Sequence, residues 1–110
     1  MDLIEASSDG NLGLVKLLLT NGANVNVQNN NGQTALIWAS QRGHLEVIKL
    51  LLERGADPFD KNNKNNYPLD LSDNEECKEL ISKYMWDIMY GNVIKLKLKI
   101  KILLIIITIY

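Results

Sequence analysis

The sequence contains few of the residues on which enzymatic or metal chemistry is usually built. Its 110 residues include one cysteine, Cys77, and one histidine, His44. One cysteine excludes an internal disulfide, and one cysteine with one histidine forms neither a zinc site nor a paired nucleophile and base. We therefore expect a non-enzymatic protein that holds no metal or cofactor, with His44 and Cys77 in structural roles.

Long apolar runs and targeting signals are also missing. The run from Ile102 to Tyr110 has nine residues, whereas a membrane-spanning helix needs about 20. The segment from Met1 to Glu5 lacks the basic and apolar regions of a secretory signal, so secretion is not expected. A small domain without disulfides suits a reducing compartment, and a cytoplasmic location is the expectation.

Charge is divided between two parts of the chain. All 13 acidic residues lie at or before Asp87, together with eight of the 12 basic ones, which gives this part a net charge of −5. The other four basic residues lie between Lys95 and Lys101 and give the tail +4. Because an acidic body repels phosphate backbones, a nucleic-acid partner is not expected.

An internal repeat of 33 residues organises the acidic part. The segment Gly10–Leu19 aligns with Gly43–Leu52, and the same shift places Asn21–Asn24 on Arg54–Asp57. A third copy is weaker, with Leu69 at the position of Leu36. Self-similarity at a fixed period of this length is the sequence signature of a stacked repeat protein.

Each repeat has the pattern of two helices followed by a hairpin. Residues 36–42 suit a short helix, and Gly43 follows as a residue that adopts a left-handed conformation at little cost. Residues 45–53 carry apolar side chains on a broad helical face. Asn31-Gly32 is a tight-turn dipeptide. The full set of predicted helices is 2–8, 12–21, 36–42, 45–54, 69–75 and 78–86.

These residues resemble a known family. The segment from Gly32 to Leu52, with Arg54-Gly55-Ala56-Asp57 after it, is similar to the ankyrin-repeat pattern G-x-T-P-L-H-x-A-A-x-x-G-H-x-x-V-V-x-L-L-L, which closes on x-G-A-D. Ala35 replaces the usual proline and Ile37 the usual histidine. In the third unit Tyr67 replaces the helix-capping threonine, and Glu76 replaces the glycine between the helices.

The resemblance implies an all-α ankyrin-repeat solenoid of about three helix-turn-helix units with hairpin loops, and a non-repeat C-terminal tail. We expect an ankyrin-repeat domain at 1–86, with units at about 1–31, 32–64 and 65–86, and a tail at 87–110. The polar first unit and the degraded third unit resemble terminal capping repeats, so a short array of low stability is expected.

The resemblance also implies a function, which is to bind a protein partner through the concave groove and the hairpin tips. Trp38 lies at a position that resembles groove-facing ones, and it is either exposed there or packed between first helices. The asparagine runs at the tips suit tight turns as well as contact with a partner. The residues expected to bind are Trp38, Gln41, Arg42, Asn30, Asn31, Gln33, Asn63, Lys64 and Asn66.

The tail after Trp86 does not follow the repeat. From Ile94 to Ile102 apolar residues alternate with lysine, which on a strand would place every lysine on one face. Three interpretations stay open: an aggregation-prone strand with lysine gatekeepers, a membrane-surface anchor that does not span, and sequence without selected function. Two alternatives to a binding module therefore stay open. One is a membrane-associated protein whose repeat body is displayed by the tail Val93–Tyr110, and the other is a truncated remnant of a longer array. A monomer is expected.

Overall fold

The computed structural model of the protein describes all 110 residues and contains six α-helices and no strand. The helices are α1 (Leu3–Ser8), α2 (Leu12–Thr20), α3 (Ala35–Arg42), α4 (Leu45–Glu53), α5 (Pro68–Leu71) and α6 (Glu75–Ile109). The hairpin loops of the first two repeats separate α2 from α3 and α4 from α5. The all-α fold predicted from the sequence is confirmed.

The helices form two parallel rows. The first helices of the repeats, α1, α3 and α5, pack side by side, and the second helices, α2, α4 and α6, form the other row. One continuous core lies between the rows and includes Leu3, Leu36, Leu51 and Ile81. No repeat could bury its apolar face alone, because each contributes only a few of these side chains, so the stack is stabilised by contacts between neighbours.

One polar side chain and one glycine set the two ends of α3. The Thr34 hydroxyl accepts a hydrogen bond from the backbone N–H of Ile37 at 3.1 Å and caps α3. Gly43 ends α3 with φ 72°, the left-handed conformation that the sequence predicted there. The turn between α3 and α4 therefore follows from local sequence.

The third repeat differs from the prediction. The helices expected at 69–75 and 78–86 are instead α5, which has four residues, and α6, which begins at Glu75. Glu76 cannot supply the left-handed turn that glycine gives the other repeats. The chain runs extended at Ser72 and Asn74 instead, and the Asn74 side chain caps α6 by accepting from Cys77 N–H at 3.2 Å. The turn therefore comes earlier in this repeat.

The tail is a helix, and the strand interpretation of it was wrong. Helix α6 has 35 residues and continues without interruption from the third repeat through the lysine segment to Ile109. A strand would need a neighbouring strand to pair its backbone, and the chain offers none, whereas a helix satisfies its N–H and C=O groups internally. The far half of α6 projects from the stack, which gives the molecule dimensions of 62 × 30 × 24 Å.

Candidate functional site

The first helices carry the site residue that the sequence singled out. Helix α3 places Trp38 and Arg42 one turn apart, and the guanidinium carbon of Arg42 lies 5.5 Å from the centre of the Trp38 ring. This is within the range of a cation–π contact. Arg42 and Gln41 are exposed at the end of the helix, so this end of α3 offers one aromatic and two polar groups to solvent.

Trp38 is half-buried, which lies between the two arrangements considered from the sequence. Its ring lines a cavity of about 340 Å³ together with Ile4, Glu5, Ser8, Asp9 and Asn29. Four of these residues come from α1 or the turn after it, so the ring lies beside the neighbouring first helix without being enclosed by it. Two carboxylates, Glu5 and Asp9, therefore border the same cavity as an indole ring.

The two hairpin tips are built alike. Asn29 Oδ1 accepts hydrogen bonds from the backbone N–H groups of Asn31 and Gln33, at 2.9 and 3.0 Å. Asn62 repeats this arrangement 33 residues later and accepts from Lys64 and Asn66 at 2.9 and 3.0 Å. The asparagines of the tips thus shape the turns, as their propensity suggests. The prediction of the site omitted Asn29 and Asn62, although aligning the runs by 33 residues would have shown them to be equivalent.

Asn63 joins the tips to each other. Its side-chain Nδ2 donates to the carbonyl oxygen of Asn30 at 3.0 Å, and its backbone N–H donates to the carbonyl oxygen of Asn31 at 3.0 Å. Asn63 was expected among the partner-binding residues, but its amide donor is already engaged within the protein. The side chains of Asn30, Asn31 and Lys64 are exposed.

A second, polar cavity lies between the tips. It has a volume of about 230 Å³, and its lining consists of Asn31, Gln33, Asn62, Asn63 and Lys64. Gln33 Oε1 is buried at this place and has no hydrogen-bond donor within the protein. A buried acceptor without a donor is costly, and Gln33 Oε1 has almost no surface that a group from outside could reach. Asn29 lines the Trp38 cavity and also bonds to Asn31 and Gln33, which links the two cavities.

The histidine and the cysteine have structural surroundings. His44 Nε2 lies 2.9 Å from the carbonyl oxygen of Ser8, so the ring connects the second repeat to the first. Cys77 is fully buried in the core, and burial, together with the nearby charge of Glu76, raises the pKa of its thiol. A thiol that resists ionisation is a poor nucleophile. No three His, Cys, Asp or Glu side chains are grouped as metal ligands.

The C-terminal half of α6 takes no part in either cavity. None of the helices combines the length and the apolar character that crossing a bilayer requires. The apolar side chains from Trp86 onward are nevertheless exposed.

A stack of helix pairs with hairpin tips at a 33-residue spacing defines a repeat protein of the ankyrin type. A family model described as ankyrin repeats (3 copies) matches residues 3–91. The chain therefore belongs to the ankyrin-repeat family, whose general role is protein–protein interaction.

Solved structures give the same result. The protein is similar to 419 chains of known structure. Among them is the ankyrin repeat domain of Bcl-3, which is a unique member of the IkappaB protein family. The two share 39% sequence identity and superimpose with a TM-score of 0.70, over 73% of this chain and 35% of the other. The chain thus spans about a third of that domain. No curated protein sequence matches significantly.

Proposed function

We propose that this protein is a non-enzymatic module that binds a protein partner through the exposed end of α3 and the hairpin tips. The observation that carries this proposal is the half-buried Trp38 ring beside an open cavity. Tryptophan gives a large contact area for few rotatable bonds, and it is enriched among the residues that dominate binding energy. A ring held on one side by its own helix stack is well prepared for such a role.

Two carboxylates, Glu5 and Asp9, and one cation, Arg42, lie beside Trp38, and this excess of negative charge favours a partner with a basic side chain. Glu5 and Asp9 border the cavity, and the body around it is acidic. A lysine or arginine from the partner could contact the indole ring and pair with one of the carboxylates. Such a contact would be partly desolvated by the cavity walls, which strengthens it relative to an exposed ion pair.

The hairpin tips add polar specificity to this surface. Asn31 and Lys64 line the polar cavity between the tips, and the exposed side chains of both can bond to polar groups of a partner. Asn30 and Asn66 are each hydrogen-bonded to a residue that lines this cavity, while Asn63 contributes mainly by keeping the two tips in register.

Affinity capture from the natural cell, with two matched variants, tests the proposal. Trp38→Ala removes the ring, and Leu17→Ala removes an exposed apolar side chain from α2, on the other row of helices. A partner captured by the parent should bind Trp38→Ala about 30-fold more weakly, which corresponds to about 2 kcal/mol. The same partner should bind Leu17→Ala as it binds the parent.

Melting curves of both variants control for loss of the fold. If every partner of the parent binds Trp38→Ala with unchanged affinity while the fold persists, the proposed surface is wrong. Glu5→Gln and Asp9→Asn sharpen the test, because they should lower the affinity for the partner only if the partner contributes a basic side chain at this cavity.

A further inference from the structure

The far half of α6 carries apolar side chains on every side, with four lysines among them, and is uncovered. The buried residues of α6 are Cys77 and Ile81, both in its first two turns. From Trp86 to Tyr110 all apolar side chains longer than alanine are exposed. A helix that is apolar around its whole circumference is normally buried. This segment therefore calls for a partner that the rest of the chain does not provide.

One stripe of this helix has the spacing of a coiled coil. Starting at Trp86, apolar residues follow at alternating steps of three and four without a break as far as Tyr110, over about three and a half heptads. All four lysines of the segment fall outside the stripe. We call this stripe the seam; it consists of Trp86, Met89, Val93, Leu96, Ile100, Leu103, Ile107 and Tyr110. A lipid surface needs apolar residues but does not need this spacing.

The residue types along the seam indicate a coiled coil of two parallel helices. At one of the two alternating positions Trp86 is followed by the β-branched residues Val93, Ile100 and Ile107, and at the other Leu96 and Leu103 lie between Met89 and Tyr110. In heptad terms these are the a and d positions, respectively. β-Branched residues at a with leucine at d favour a parallel dimer over larger assemblies.

The lysines beside the seam favour the same orientation. Lys97 and Lys99 occupy the flanking e and g positions. In a parallel pair, g of one copy faces e of the next heptad of the other, so Lys99 meets Leu104 and Lys97 meets Asn92. An antiparallel pair centred on the seam would bring Lys97 against Lys97 and Lys99 against Lys99. Like charges directly opposite are unfavourable.

We propose that α6 pairs with α6 of a second copy of this chain as a parallel two-stranded coiled coil along the seam. The eight seam side chains, each about half exposed or more, offer on the order of 100 Å² apiece, so pairing would bury the roughly 800 Å² per partner typical of specific interfaces. This replaces the expectation of a monomer. It places both ankyrin bodies at the same end of the paired helices.

Two leucines of α6 form a matched pair of test sites. Leu96 lies in the seam and Leu98 on the opposite side of the helix, and both are 58% exposed. We would measure the mass of the full chain by analytical ultracentrifugation for the parent, Leu96→Lys and Leu98→Lys. The parent and Leu98→Lys should have about twice the chain mass of 12.4 kDa. In Leu96→Lys the dissociation constant of the dimer should rise by at least about 100-fold.

Each other outcome overturns the proposal. A parent that is monomeric, or a mass lowered equally by both substitutions, would show that the seam is not the interface. A monomer that floats with vesicles of phosphatidylcholine and phosphatidylserine, with both variants equally impaired, would identify a lipid surface as the occupant. Circular dichroism and melting of the repeat body verify that each variant is folded.

Cross-linking tests the orientation. In a parallel pair the two Tyr110 positions meet, so Tyr110→Cys should form a disulfide-linked dimer under mild oxidation. The neighbouring Ile109→Cys lies off the seam and should cross-link far less. Cys77 is buried and does not compete. An antiparallel pair would hold the two Tyr110 positions about 36 Å apart, so a dimer without this cross-link would refute the parallel arrangement.

Discussion

The second repeat and the far half of α6 are both helical, but for different reasons. In α3 and α4 the apolar side chains are buried within the chain, and a threonine cap and a left-handed glycine set where α3 begins and ends. In α6 beyond Met85 the apolar side chains are exposed on all sides. The repeat body therefore owes its helices to contacts between helices, whereas the far half of α6 buries none of its apolar side chains against the other helices. The same substitution should have different consequences in the two regions.

The largest difference should come from truncating a leucine in each region. Leu51 is fully buried in α4, so Leu51→Ala should cost about 2–5 kcal/mol and abolish cooperative melting of so short an array. Leu98→Ala on α6 should leave the melting of the body within a degree or two of the parent. Thermal melting followed by circular dichroism measures both, and a Leu51→Ala variant that melts like the parent would show that Leu51 contributes little to the core.

Replacing glycine by alanine should act in opposite directions in the two regions. Gly32 has φ 73°, and an added Cβ would lie 2.6 Å from Asn63 Oδ1 and 2.9 Å from Asn63 N. Gly91 lies within α6 with open space around it. Gly32→Ala should destabilise the body by more than the roughly 1–2 kcal/mol of a left-handed residue. Gly91→Ala should stabilise the helix by about 0.5–1 kcal/mol.

Gly22→Ala separates strain from crowding. Gly22 has φ 91° but nothing within 4 Å of an added Cβ, so only the conformational cost applies. Denaturant unfolding should therefore rank Gly32→Ala as less stable than Gly22→Ala. Equal losses would mean that Asn63 moves aside at little cost.

A smaller effect is expected for the polar link between repeats. His44→Ala removes the contact between Nε2 and the Ser8 carbonyl oxygen, and it should cost about 1 kcal/mol of body stability. Thr108→Ala on α6 removes a side-chain hydrogen bond to its own helix, at 2.8 Å from Leu104 O, and should leave the body unchanged. Chemical denaturation of both variants measures this, and a loss of binding larger than the loss of folding would give His44 a role at the partner surface.

The smallest effect concerns pH. Partial burial, with the nearby Asp57, raises the pKa of Asp60 above its ordinary 3.8 in the folded protein. Because ionisation is less favourable in the fold than in the unfolded chain, Asp60 favours folding most below pH 3.8, and this contribution is lost as the pH rises through the raised pKa. Asp60→Asn should therefore melt slightly higher than the parent at pH 7, with no difference near pH 3. Asp87→Asn on α6 controls for the loss of one charge.

The two regions also differ in how far their structure could be predicted from the sequence. In the body the 33-residue period made the prediction reliable, because each helix and each left-handed turn, such as the one at Gly43, is supported by an equivalent position in a second unit. The predicted helix bounds of the third repeat were wrong because Glu76 stands where the other repeats have the glycine between their helices. The turn therefore moves, and its new position depends on which nearby side chain caps the next helix. Here it is Asn74.

In the tail one set of residues satisfies two periods. From Ile94 to Ile102 the alternation with lysine fits a strand, while Leu96, Ile100 and Leu103 also fit a heptad. Only the availability of backbone partners separates these, and a local pattern does not contain that information. The geometry of the tips could be predicted only in part for a similar reason: the sequence indicates polar tips, but which asparagine bonds inward, as Asn63 does, depends on the neighbouring repeat.

Helix α6 begins inside the third repeat and extends to Ile109, about 52 Å away for 35 residues, without a proline or a loop along its length. An uninterrupted helix behaves as a rigid rod. A contact that fixes the direction of the far half of α6 would therefore also fix the orientation of Trp38 and the hairpins, because Cys77 and Ile81 anchor the base of the helix in the core. The orientation of Trp38 and the hairpin tips is thus coupled to the direction of the far half of α6.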